Sequence, residues 1–324
     1  MKCFNNLILL LAAVLFGSIA PETSKIVMQD APPKRAHHDM VYNDSCGCIL
    51  LSGGSSPVNG GQSFVFYNDL WRYDGKMWKH SGNSGNERSG IRLAYDSKQK
   101  KVFSYGGFAN NQPLGDLRVL ENGEWKTLTD VSEMKAAEGG FVYDSDRNRL
   151  VAFGGANVRG IENNSVWEWD GTAWNKMSGS GPGSRQAFAM VYDEKRRRTV
   201  IYGGMDTNGK QLSDTWEWDG IQWTMATGSG PGPRVSPGYA YDSKGGFMIL
   251  FGGMQNSSFK NDTWSWDGSA WKLLSDKGPS PRTMGCMAYD KKRDRIVMFG
   301  GRLGWPNDVN DTWEWNGSEW YEVR

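Results

Sequence analysis

A Gly-Gly pair behind a short apolar run recurs six times at near-constant spacing, at Gly53-Gly54, Gly106-Gly107, Gly154-Gly155, Gly203-Gly204, Gly252-Gly253 and Gly300-Gly301. The same frame surrounds every pair: a Tyr-Asp or Tyr-Asn upstream, the apolar run, a variable loop, an aromatic stretch, a tight turn and a closing tryptophan. Those tryptophans, Trp78, Trp125, Trp174, Trp223, Trp271 and Trp320, are 47 to 49 residues apart. Such a period is too long for leucine-rich, ankyrin or tetratricopeptide units and matches repeats that close into a ring of small sheets. The length of 324 residues would otherwise suggest about two domains, but an unbroken repeat argues for one closed unit.

Each unit divides into four strands; in the fourth unit they are predicted at 187–192, 199–202, 214–218 and 223–225. Asp-Gly or Asn-Gly joins the third strand to the fourth in every unit, at Asp74-Gly75, Asn122-Gly123, Asp170-Gly171, Asp219-Gly220, Asp267-Gly268 and Asn316-Gly317, and these dipeptides favour tight hairpin turns. Aromatic pairs such as Trp169 with Trp174 and Trp218 with Trp223 flank the turn. A sheet built this way is apolar on both faces and needs a neighbour on each, which a closed ring of six provides. Sixteen Trp and 42 Gly follow from the same frame.

The glycine doublet ending the second strand and the aromatic pair around the last turn resemble the kelch repeat. The resemblance covers residues 35–324 and implies an all-β fold: a six-bladed kelch-type β-propeller with four antiparallel strands per blade, at about 35–78, 88–125, 136–174, 185–223, 234–271 and 282–324. Kelch repeats usually carry Tyr at the first aromatic; here Trp169, Trp218, Trp266 and Trp315 occupy it, with Tyr73 in blade one. Blade two departs furthest, with Leu117-Arg118-Val119-Leu120 where later blades read Trp-Glu-Trp, so looser packing is expected there.

Residues 1–20, with Lys2, the apolar run 7–16 and then Gly-Ser-Ile-Ala, have the layout of a secretory signal peptide, and the run is too short to span a bilayer. A secreted or periplasmic protein is expected, a monomer with no membrane span in the mature chain. Residues 21–34 form an N-terminal extended segment. Within it Lys25 to Met28 are expected along the outer edge of blade six, because Ser24 to Arg35 aligns with Trp271 to Arg282. Cys46, Cys48 and Cys286 make no disulfide framework; Cys46 and Cys48, in a predicted hairpin turn, are expected as two ordinary thiols, a strained bridge between them or a metal contact being the alternatives. A net charge of +1 gives no global field of the kind nucleic-acid binding requires.

Loops between second and third strands share one face with the segments leading into the first strands, and these loops vary. Ser55 to Asn68 is the longest, with Phe64, Phe66 and Tyr67; Arg302 to Asn310 carries Trp305. Variable loops on a rigid scaffold are where binding resides. Arg35, Arg88, Arg185, Arg234 and Arg282 recur seven residues before the first-strand tyrosine, with Ala136 breaking the series. They could grip a carboxylate or phosphate in bidentate fashion, or pair within the blade with carbonyls or with an Asp such as Asp214, Asp262 or Asp311. In kelch-like propellers this face is often the binding face. The candidate ligand-binding set is therefore these five arginines with Arg302, Trp305, Phe66 and Tyr67, and the partner a protein or glycan. The opposite face carries basic turns at 98–101, 147–149, 195–198 and 291–295.

Three histidines, of which His37 and His38 are read as a structural pair, leave little for acid-base chemistry, and no metal-ligand spacing or cofactor motif stands out. The set of a kelch-like copper oxidase cannot be assembled. The resemblance to sialic acid mutarotases supplies the enzymatic alternative, a sugar-acid mutarotase or epimerase: Arg185, Arg234 or Arg282 would hold the sugar carboxylate and Glu162, Asp206 or Asp308 would act as general acid or base. The leading expectation is an exported binding or interaction module.

Overall fold

The structure, a computed structural model, describes residues 31–83, 85, 87–157, 164–226 and 228–323. Six antiparallel sheets follow one another along the chain, each with its four main strands in sequence order. In the fourth they are Ala189–Asp193, Arg198–Tyr202, Thr215–Trp218 and Trp223–Ala226, with Met190 opposite Ile201, Ile201 opposite Trp216 and Trp216 opposite Met225. First strands line the axis, each packed on the first strand of the next blade, and Ala36–Asn43 packs on Cys286–Asp290 to complete the circle. The fold is a six-bladed β-propeller. Among the described residues no helix is long and apolar enough to cross a membrane.

Because each sheet is apolar on both faces, the core is divided among the six seams between blades, one cluster to each. Between blades three and four, for example, Val151, Phe153 and Val166 meet Phe188, Met190, Ile201 and Trp218. The seam between blades one and two is the thinnest, its buried members being Cys48, Leu50, Leu70 and Val102, with Leu120 and Trp125 only partly covered. That is where the departure from Trp-Glu-Trp falls. Blade two nevertheless pairs all four strands, and Leu117 and Val119 are buried.

The doublets stitch the ring. In every blade the N–H of the second glycine donates to a carbonyl at the start of the next blade, as Gly54 does to Arg88, Gly204 to Arg234 and Gly253 to Arg282, and Gly301 to Arg35 closes the circle at 2.9 Å. At Gly300 φ is +64°, and a Cβ there would lie 2.8 Å from the Arg35 carbonyl oxygen, so the approach requires glycine on both counts. Closure is completed by Trp78 Nε1 donating to Thr312 Oγ1 (2.9 Å) and the Tyr73 hydroxyl donating to Glu314 (2.8 Å). All four strands of blade six come from residues 286–323. The signal peptide and the edge segment Lys25 to Met28 lie outside the described residues; of the N-terminal segment, Ala31 packs on the core between blades six and one.

Cys46 and Cys48 are not free thiols, as their placement in a turn suggested, but are joined by a disulfide. The intervening Gly47, at φ +59°, lets the turn fold back so that the two Cα atoms stand 5.2 Å apart. Among the described residues Cys286 is the free cysteine.

Candidate functional site

The recurrent arginines occupy one layer at the loop face, and their guanidinium groups are buried. Arg35, Arg88, Arg185 and Arg282 each fork onto one aspartate at the start of their own blade's third strand, respectively Asp69, Asp116, Asp214 and Asp311, at 2.6 to 3.1 Å. Each also donates to the carbonyl of the first glycine of its doublet. Arg234 bonds Asp262 and the side-chain oxygen of Gln255. In blade three Ala136 replaces the arginine and Ser165 stands where the aspartate would be, so both partners change together. A buried guanidinium must be paired to be tolerated, and here the pair locks the first strand to the third. These donors are turned inward, onto the blade.

The opposite face shows the same economy. Arg147, Arg196 and Arg293, from the turns after the first strands, bracket the turn aspartates Asp144, Asp193 and Asp290 and the third-strand glutamates Glu168, Glu217 and Glu314. Much of the basic character read from those turns is therefore neutralised within the blades.

Arg302, Trp305, Phe66 and Tyr67 do come together, at the junction of blades six and one. The blade-six hairpin Arg302–Gly304 and Asn307–Asp308 leans on the long blade-one loop, which forms a strand at Ser63–Phe66. Asp308, wholly buried, accepts from Arg302 Nε at 2.7 Å, and the Arg302 guanidinium lies 5.0 Å from the centroid of the Trp305 ring. Phe64 packs against Trp305 at 5.5 Å and against Phe66 at 6.3 Å. Gly61 leaves room for the indole, since a Cβ there would lie 2.8 Å from its Nε1. Tyr67 covers the Arg35 guanidinium at 4.1 Å. Held this way Trp305 remains 42% exposed, beside Val65 at 41% and Leu303 at 38%. The result is a rigid aromatic ledge over buried charge.

The channel mouth holds a second group that sequence reasoning missed as a site. Two residues past the recurrent position, every blade turns through a left-handed conformation, at His37, Gly90, Glu138, Ala187, Ser236 and Met284. Five backbone hydrogen bonds link these residues in order from His37 to Met284. Inside this girdle a cavity of about 40 Å³ is lined by Asp39, Arg92, Glu138, Tyr239 and Cys286. Glu138 bonds His37 Nδ1 at 2.7 Å; burial alone would raise its carboxyl, but His37 and Arg92 hold it below its ordinary range. Burial pushes the Asp39 carboxyl up, with Arg92 offsetting part of the shift, and pushes the Cys286 thiol up and the His38 imidazole down. The only sequence signal was variability at that offset position.

Of the carboxylates considered as general acids, Asp308 is committed to Arg302. Asp206 caps its own loop through the N–H groups of Asn208 and Lys210. Glu162 lies outside the described residues.

The Asp214 carboxyl sits below its ordinary range because its Arg185 and Trp216 partners outweigh the effect of burial. A carboxyl depressed in the folded state adds stability that is complete above the unfolded value near pH 4 and is lost as pH falls from there through the lower folded value. Asp39 acts in the opposite sense. Buried His38, held neutral, adds stability that is lost as pH falls below the unfolded histidine value near 6.5, and Asp214 and Glu138 add a second loss below about pH 4. The melting temperature is therefore expected to decline between pH 7 and pH 5.5 and again below about pH 4.5, the second step being smaller when Arg185 and Asp214 are replaced together by Met and Leu. A melting temperature that rises on acidification would contradict this assignment.

A family model described as the KLHDC2/KLHL20/DRC7 Kelch-repeats domain matches residues 147–324, over half of the chain. The chain belongs to the kelch-repeat family. No curated protein matches it significantly. Its kelch propeller is thus of a kind that serves generally as a protein-interaction scaffold.

Proposed function

We propose that this kelch propeller is an exported interaction module that takes a protein partner on its loop face, with the ledge of Trp305, Phe64 and Phe66 as anchor. One observation carries the reading: Trp305 is exposed yet held by Arg302, Phe64 and the space at Gly61. Rigid aromatic anchors with a polar support concentrate binding energy, because little side-chain freedom remains to be lost on association. Export is supported by the leader-like residues 1–20 and by the Cys46–Cys48 disulfide, which suits an oxidising compartment.

Trp305→Ala is expected to weaken the partner by about 2 kcal/mol, roughly 30-fold, while leaving the melting temperature almost unchanged. Crosslinking in the source organism's culture followed by titration of wild type and variant checks this. Equal affinities would remove the ledge from the site. An arrayed-glycan screen runs beside it, and glycan binding lost in Trp305→Ala would make the partner a sugar stacked on the indole.

A sugar-acid mutarotase remains the second reading, supported by one arrangement: Arg92 stands with Asp39, Glu138 and Tyr239 in the channel mouth. On that reading Arg92 would hold the carboxylate and Glu138 would move the proton. Acceleration of anomer exchange followed by NMR, abolished in Glu138→Gln, is its test; no acceleration by the wild type removes it.

A further inference from the structure

The disulfide of blade one is poorly explained as a structural clamp. It encloses one intervening residue, so cross-linking takes almost no conformational freedom from the unfolded chain. It also lies in a turn whose flanking strands are already paired in register, Asn43 lying opposite Cys48. Blades three, four and six use an arginine at the corresponding turn position, three residues after the first-strand Asp, to bracket the turn. Blade one places Cys46 there, three residues after Asn43.

The two sulfurs are not equivalent. Cys46 is exposed at the tip of the turn, whereas Cys48 is buried in the seam with blade two. From the neighbouring turn of blade six, Lys292 lies over Gly47: a Cβ built there would be 3.6 Å from Lys292 Cδ and 4.0 Å from Nζ. Tyr42 is on the same side, its hydroxyl 3.8 Å from that point. Asp44 and Asp290 add negative charge and Arg293 positive charge around Tyr42. An ammonium group over the residue between the two cysteines adds positive charge to the turn, which favours a thiolate there.

We propose that Cys46–Cys48 is a thiol–disulfide exchange site that takes low-molecular-weight or protein thiols as substrates. An incoming thiolate attacks Cys46 Sγ; the new bond forms as the Cys46–Cys48 bond breaks, and the electron pair leaves on Cys48 Sγ, which is then protonated from solvent. A second thiolate attacks the substrate sulfur of the mixed disulfide and releases the Cys46 thiolate. Two thiols are thereby oxidised to one disulfide while the protein's pair takes up two electrons. The assignment is independent of the loop-face partner, since the turns after the first strands lie on the opposite face.

The test uses the oxidised full chain in mixtures of reduced and oxidised glutathione, with alkylation and mass measurement of residues 46 and 48. The pair is expected to be reduced in the folded protein, without loss of the melting transition, and at least about tenfold faster than in a peptide of residues 43–49. In Cys48→Ser a glutathione adduct is expected at Cys46, while in Cys46→Ser the buried Cys48 reacts at least about tenfold more slowly until denaturant is added. Lys292→Gln should slow reduction about threefold or more at neutral pH, with the difference shrinking in high salt. Reduction only on unfolding, reduction no faster than the peptide's, or equal reactivity of the two single variants would each overturn the proposal. If either variant fails to fold, the wild-type comparison with the peptide still decides.

Discussion

Gly300→Ala is expected to lower the stability of the propeller by about 3 kcal/mol or more, seen as a shift of the urea midpoint. The new methyl would meet the Arg35 carbonyl oxygen at 2.8 Å and that of Val309 at 3.2 Å, at a φ of +64° that alanine adopts only with strain. Both obstacles are backbone, so no side chain can swing aside. The affected contact is also the one that closes the ring, since Gly301 donates to Arg35 there. Gly317→Ala provides the comparison: φ is +96° in the last hairpin turn, but nothing lies within 4 Å of the added carbon. Its cost should be confined to the turn, about 1 kcal/mol. Similar losses at the two sites would mean that left-handed conformation alone, and not the approach of the next blade, sets the requirement.

Truncating one arginine of the loop-face layer should cost nearly as much. Arg282→Ala leaves Asp311 in a polar cluster without its bidentate partner and removes the donor to the Gly300 carbonyl. Breaking a buried pair on one side costs about 3 to 5 kcal/mol, whereas replacing both members by apolar groups of similar shape is often close to neutral. Asp311 is 21% exposed at its side chain and also accepts from Trp313 Nε1 at 2.8 Å, which places the expected loss near the lower figure. The double replacement of Arg282 by Met and Asp311 by Leu should recover at least half of it. Thermal and urea unfolding of the two single variants and the double variant form a cycle that isolates the pair. A single variant as stable as the wild type would show that Arg282 contributes little to the blade.

The same five arginines show where a reading of residues stops. Their recurrence seven positions before a tyrosine is visible in the chain, and so is the recurrence of aspartate before the aromatic stretch. The joint loss of both in blade three, at Ala136 and Ser165, is the internal sign that they belong to one another. What the spacing could not supply is direction, because a guanidinium facing the channel and one folded onto its own third strand present the same periodic pattern. The Trp305 ledge differs: Phe66, Tyr67, Arg302 and Trp305 fall outside the repeat, and their irregularity marked them. Their meeting depends on blade six lying against blade one, which the repeat implies only if the ring closes.

Blade number, strand order and turn positions were legible in the chain because each unit must satisfy the same local requirements: glycine where backbones approach, Asp-Gly or Asn-Gly at a tight turn, apolar residues on both faces of a sheet. Those requirements act over a few residues and recur with the period. Tertiary structure decided what arises between units. It brought Asp39, Arg92, Glu138 and Tyr239 from four blades into one channel mouth and set Lys292 of blade six over the turn of blade one. Such groupings depend on distances across the closed ring, and a side chain that meets its partner there leaves no periodic trace in the chain.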